Sequence, residues 1–142
     1  MDYQEKYEFW LDISLYDLET AKVMFQSGRY LYVVFMCQQS VEKLIKGLYV
    51  LHIGEEPPRT HNIWLVFKKL LDNELFANQI DNEMKEKVNY YKPFLAELFA
   101  YYISRRYPSY RNKLSTVVKK EKAQDVLRKT EEAFEWLQSL TK

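Results

Sequence analysis

Tyr30 to Ile53, YLYVVFMCQQSVEKLIKGLYVLHI, constrains the fold more than any other part of this chain. Val34, Cys37, Val41, Leu44, Leu48 and Leu51 recur at alternating spacings of three and four. At about 100° per residue they form one apolar stripe, which predicts a helix packed against other helices. Gln38, Glu42 and Lys46 stand at successive i, i+4 steps along one edge of that stripe. A core helix thus carries an amide, a carboxylate and an ammonium in a row, and buried groups of that kind need partners.

The rest of the composition suits long helices. Only three Gly and four Pro occur among 142 residues that are 47% hydrophobic, so regular elements are favoured over loops or disorder. A single domain over residues 1–142 is expected, long enough to bury roughly two-thirds of its unfolded surface. Lys and Arg number 21 against 20 Asp and Glu, so the net charge of +1 gives no general pull toward nucleic acid or anionic membrane. The single Cys37 lies on the apolar stripe and cannot form an internal disulfide. The start, MDYQEKYEFW, lacks a basic segment followed by an apolar run, and no apolar run is long enough to span a bilayer. A cytoplasmic protein with no membrane association is expected.

In chain order, the first helix is predicted from about Tyr3 to Gln26, stopping at Ser27-Gly28, where Gly supplies a left-handed cap. Trp10, Ile13, Ala21 and Met24 share its inner face, extended by Leu11, Leu18 and Phe25. Asp17 lies within that face, so it either bridges to a cation on a neighbouring helix or serves a site. Helix two ends near His52-Ile53-Gly54, and the paired prolines of Glu55-Glu56-Pro57-Pro58-Arg59 make a loop. Thr60 or Asn62 can cap a short third helix to Leu71, with Ile63, Val66, Phe67 and Leu70 inward and His61 at its first turn. For His61, capping or packing is favoured over catalysis. Asp72 to Asp81 reads as a connection or a weakly helical turn.

A fourth helix, Asn82 to Arg105, carries Tyr91, Leu95, Leu98 and Tyr102 inward and is kinked or interrupted at Pro93. Tyr107 to Val118 is predicted to be a loop, and a last helix, Lys119 to Leu140, buries Ala123, Val126, Leu127, Phe134 and Leu137. With no strand-like alternation, four long helices and one short one give an all-α, up-and-down antiparallel bundle.

Much chemistry has no signal here. Three scattered glycines build no phosphate loop, there is no His-Glu-x-x-His, and two His with one Cys make no ordinary zinc site. No Cys or Ser nucleophile is paired with a base. The candidates are therefore Asp17, the Gln38, Glu42 and Lys46 edge, His61, and Arg105, Arg106 and Tyr107 at the end of helix four. An Arg pair beside Tyr102, Tyr107 and Tyr110 suits a phosphate clamp with base stacking. The simpler alternative, preferred on spacing, pairs Arg106 with Asp17 or Glu42 to close the bundle.

Five segments, in order, resemble landmarks of the HEPN family. They are Trp10-x3-Ser14-x2-Asp17-Leu18-x2-Ala21, Tyr30 through Gln38-Gln39-Ser40-Val41-Glu42-Lys43-Leu44-Ile45-Lys46, then Thr60-His61-Asn62-Ile63 with Arg106-Tyr107-Pro108, and Ala133-x2-Trp136-Leu137. The resemblance implies a helical bundle, dimerisation, frequent pairing with a minimal nucleotidyltransferase, and nucleotide binding in some members. It also implies that many members are metal-independent ribonucleases with an Arg and a His four to six residues apart, joined in a composite site between protomers. In such a site Arg stabilises the phosphorane charge while His moves the 2′-hydroxyl proton.

This chain departs from that motif. Tyr107, Pro108, Ser109, Tyr110, Arg111 and Asn112 follow Arg106 with no His among them, and Arg59 precedes His61 by only two. The expectation is a non-catalytic module without a cofactor: dimeric, binding a nucleotide and partnered with a nucleotidyltransferase, nucleic acid being the less favoured ligand. The alternatives are a divergent ribonuclease toxin of a toxin–antitoxin pair and a purely structural dimer.

Overall fold

The computed structural model describes residues 1–104 and 110–141. Helices α1 (Tyr3–Gln26), α2 (Tyr30–Ile53), α3 (Ile63–Leu71), α4 (Glu74–Ala77), α5 (Asn82–Ser104) and α6 (Lys120–Gln138) form an up-and-down bundle, with no strand among the described residues. Single 3-10 turns lie at Leu114–Thr116 and Ser139–Thr141.

Local chemistry sets the helix ends. Asp2 and Glu5 form a reciprocal capping box at the start of α1, satisfying two backbone donors that the helix itself cannot use. At the other end Gly28 has φ 73° and lets Arg29 N–H return to Met24 C=O at 2.8 Å. Gly54, at φ 77°, closes α2 in the same left-handed way. Asn62 caps α3 by accepting from Leu65 N–H at 3.1 Å, Asn73 caps α4, and Asp81 Oδ1 accepts from Met84 N–H in the first turn of α5.

Helix α2 runs through the middle of the bundle and packs on α1, α3, α5 and α6. Its burial goes well beyond the one stripe expected: Val33, Ser40, Ile45, Gly47 and Val50 are buried as well, while Leu51 is only half-buried. The side of α2 that reaches solvent is narrowed to a partly exposed strip through Tyr32, Met36 and Lys43, so the predicted edge row of Gln38, Glu42 and Lys46 is itself interior.

The predicted inner face of α1 is rotated in the structure. Tyr7, Ser14, Asp17, Leu18 and Ala21 are buried, Trp10 is half-buried and Ile13 is exposed. The cause is close approach at small residues. Ser14 turns its hydroxyl back to Leu11 C=O at 2.8 Å, and Gly47 of α2 faces Trp10 so tightly that an added Cβ would sit 2.7 Å from Trp10 Cβ. Helix α5 passes through Pro93 without ending, because Tyr91, Phe94, Leu95 and Leu98 anchor both sides of it in the core. The segment after α3 contains the four-residue α4, held by buried Phe76. The predicted inward residues of α3 and α6 are all buried, and Trp136 of α6 ties in α5 by stacking on Tyr91 at 4.8 Å and α3 by meeting Phe67 edge-on.

Candidate functional site

Glu42 is the hub of the buried polar row. Gln38 and Lys46 lie one turn before and after it, the spacing at which side chains on a helix meet. Gln38 Nε2 donates to Glu42 Oε1 at 3.0 Å, and Lys46 Nζ donates to Oε2 at 3.1 Å. His61 Nδ1 approaches the same carboxylate at 3.1 and 3.3 Å. Gln38 also donates to His61 C=O at 3.3 Å and accepts from Gln39 Nε2 at 2.7 Å. A carboxylate buried in an apolar bundle is tolerable only with such compensation, here an ammonium, an amide and an imidazole together.

The turn before α3 presents His61. Asn62 N–H donates to Thr60 Oγ1 at 3.1 Å while the Asn62 side chain caps α3, fixing the backbone on both sides of the imidazole. The Glu42 side chain is 5% exposed and that of His61 51%, so the acid is inside and the imidazole reaches the surface. Since a carboxylate only accepts, Nδ1 is the donor, and the neutral ring carries its basic lone pair on Nε2. The ring lies against Tyr102 of α5, with centroids 4.8 Å apart at 35°. Arg105 and Arg106 follow Tyr102 by three and four residues. This is a carboxylate-oriented imidazole at a surface, an arrangement able to move a proton to or from a bound molecule.

The structure thus joins Gln38, Glu42, Lys46 and His61 but separates Asp17 from them. Asp17 Oδ2 accepts from Lys43 Nζ at 2.5 Å, the bridge to a cation on a neighbouring helix that was one of its two expected roles. Lys43 stands one position beyond Glu42 on α2, about 100° around the axis, and so faces α1 while Glu42 faces α3. The expectations for Arg105, Arg106 and Tyr107 lie outside the described residues. Sequence reasoning placed His61 among the candidates but favoured capping or packing over catalysis, because its partner is far away in the chain, and it gave Gln39 no site role. Tyr102 was visible on the inner stripe of α5 but not as a neighbour of His61.

Other reactive groups are occupied elsewhere. Burial pushes the Cys37 thiol up to about 12, which leaves it protonated and unreactive in the core. His52 meets Leu140 C=O at 2.6 Å and packs on Phe76, a structural clasp. Among the described residues no three His, Cys, Asp or Glu side chains are grouped to hold a metal, and no helix is long and apolar enough to cross a membrane.

Comparison with known proteins places the fold. The crystal structure of TT1696 from Thermus thermophilus superposes with a TM-score of 0.72 at 19% identity, covering 95% of this chain and 98% of that one. ST0689, an archaeal HEPN homologue, gives a TM-score of 0.66 at 21% identity over 96% of this chain and 98% of its own. In sequence, the protein described as "Putative toxin MJ1304" of Methanocaldococcus jannaschii is 29% identical over 130 residues, 89% of this chain and 82% of that relative. The profile of the HEPN domain matches residues 7–140, nearly the whole chain, and the protein belongs to the HEPN family.

Proposed function

We propose that this chain is the toxin of a toxin–antitoxin pair and that it cleaves RNA without a metal, with His61 as the proton-transferring group. The observation that carries the proposal is the bond from half-exposed His61 to buried Glu42. The likeness to a protein described as a toxin supports the biological role. His61 stands in for the histidine that the Arg-x4-6-His spacing of other family members would supply and this sequence lacks. His61 Nε2 takes the proton of a ribose 2′-hydroxyl, O2′ bonds to the adjacent phosphorus, and the P–O5′ bond breaks. The departing O5′ takes a proton from water, leaving a 2′,3′-cyclic phosphate. Glu42 stabilises the imidazolium, Tyr102 offers a ring for base stacking, and Arg106 is the cation for the phosphorane charge.

Expressing the chain under a tight promoter, and incubating it with RNA in a chelator, tests this directly. Growth arrest and cyclic-phosphate ends are expected, with cleavage falling roughly 100-fold or more in His61→Ala and strongly in Arg106→Ala. Intact RNA and normal growth overturn it. The second reading, a dimeric nucleotide-binding module that partners a nucleotidyltransferase, is favoured by one observation: no His follows any Arg at the nuclease spacing. It predicts harmless expression together with calorimetric binding of ATP that Arg106→Ala abolishes.

A further inference from the structure

The outer face of α1 carries an apolar seam that nothing among the described residues covers. Phe9, Ile13, Tyr16 and Val23 are 66%, 38%, 71% and 53% exposed. Together with half-buried Thr20 they follow the alternating four-three spacing of a coiled-coil face, within a strip about 80° wide. From Phe9 to Val23 the strip is about 21 Å long, some four turns. Exposed large apolar side chains scattered singly need no explanation, but a continuous heptad strip marks a docking surface.

Charge selects the occupant. Glu8 and Asp12 are exposed along one edge of the strip, and Glu19 continues that edge with Lys22 bonded to it at 3.0 Å. The opposite edge carries Lys6, already engaged by Glu56, then half-buried Trp10 and Met24. If two copies packed antiparallel through this strip, the two-fold axis would set each acidic edge against itself. Packed parallel, the acidic edge would meet Lys6 and the Asp17–Lys43 pair, whose cations are both already engaged. Self-association is therefore disfavoured by charge, and an anionic lipid surface is disfavoured for the same reason.

We propose that the α1 seam receives an amphipathic helix of a partner protein, roughly 15 residues long, with Lys or Arg flanking its apolar side. The seam belongs to the part of α1 turned away from α2, whereas the Glu42 and His61 site lies between α2, the turn before α3, and α5. A partner held here leaves His61 uncovered, so it tethers the chain rather than plugging the site. The inference does not depend on RNA cleavage.

Two synthetic 18-residue amphipathic helices, with the same leucine seam and either Lys or Glu flanks, serve as probes in fluorescence anisotropy with the full chain. The Lys peptide is expected to bind at least ten-fold more tightly than the Glu peptide. Glu8→Lys/Asp12→Lys should narrow that preference. Phe9→Glu/Tyr16→Glu separates docking from simple charge attraction: it adds negative charge yet should weaken the Lys peptide at least ten-fold, whereas bare electrostatics would strengthen it. All substitutions are at exposed positions, and circular dichroism checks that each variant stays folded. Equal affinity for the two peptides, stronger binding by the Glu-substituted seam, or a dimer in sedimentation that Tyr16→Glu dissolves each overturns the proposal. So does binding to vesicles rich in anionic lipid.

Discussion

Glu42 is tolerated in the core because three donors converge on it, and the three differ in what they contribute. Lys46 neutralises its charge, Gln38 fills a lone pair, and His61 carries the charge relationship to the surface. The Lys46 side chain is only 11% exposed, so removing Glu42 alone strands a buried ammonium. We expect Glu42→Met to cost about 3–5 kcal/mol in urea unfolding, while Glu42→Met/Lys46→Met recovers most of that loss. A double variant no more stable than the single one would show that the pair is not what balances the buried charge. The row within α2 was legible in the sequence, because i, i+4 spacing alone brings its members together. The bond to His61 was not, since it joins residues 19 apart across a loop whose path no local pattern defines. Asp17 with Lys43, 26 residues apart, was hidden for the same reason.

The helices differ in how plainly their buried sides could be read. In α3 the apolar residues occupy one side, so Ile63, Val66, Phe67 and Leu70 point inward as their spacing predicts. Helix α1 is ambiguous, because Phe9, Tyr16 and Val23 are as apolar as the residues it buries, and its inner side is decided by fit. That fit depends on Gly47, where the backbone of α2 accepts Trp10 in place of a side chain. Gly47→Ala would put a methyl 2.7 Å from Trp10 Cβ, an atom that cannot move unless α1 moves. Alanine would ordinarily gain helix propensity over glycine, by about 1 kcal/mol. Here overpacking should win, with a net loss of about 1–2 kcal/mol measured by thermal or urea unfolding. A variant more stable than the parent would mean that α1 and α2 are less closely packed than described.

Across the whole molecule, wrapping the bundle around α2 leaves acids in the core that ionise only at high pH. Burial pushes the Cys37 thiol from 9.0 up to about 12. Burial, reinforced by the negative charge of Glu132, pushes the Tyr91 phenol from 10.0 to about 12, and burial raises Tyr7 as well. Below pH 9 both the folded and unfolded chains keep these protons, so they make no pH-dependent contribution. Above that point the unfolded chain gives up protons that the fold retains, so unfolding releases protons. Stability must therefore fall as pH rises from about 9 to about 12. Two substitutions apportion the effect. Cys37→Ala should flatten the decline from pH 9 upward. Tyr91→Phe, which keeps the stack on Trp136, should flatten it from pH 10 upward. Urea unfolding at half-unit steps of pH measures each slope, and slopes unchanged in both variants would place the alkaline sensitivity outside the core.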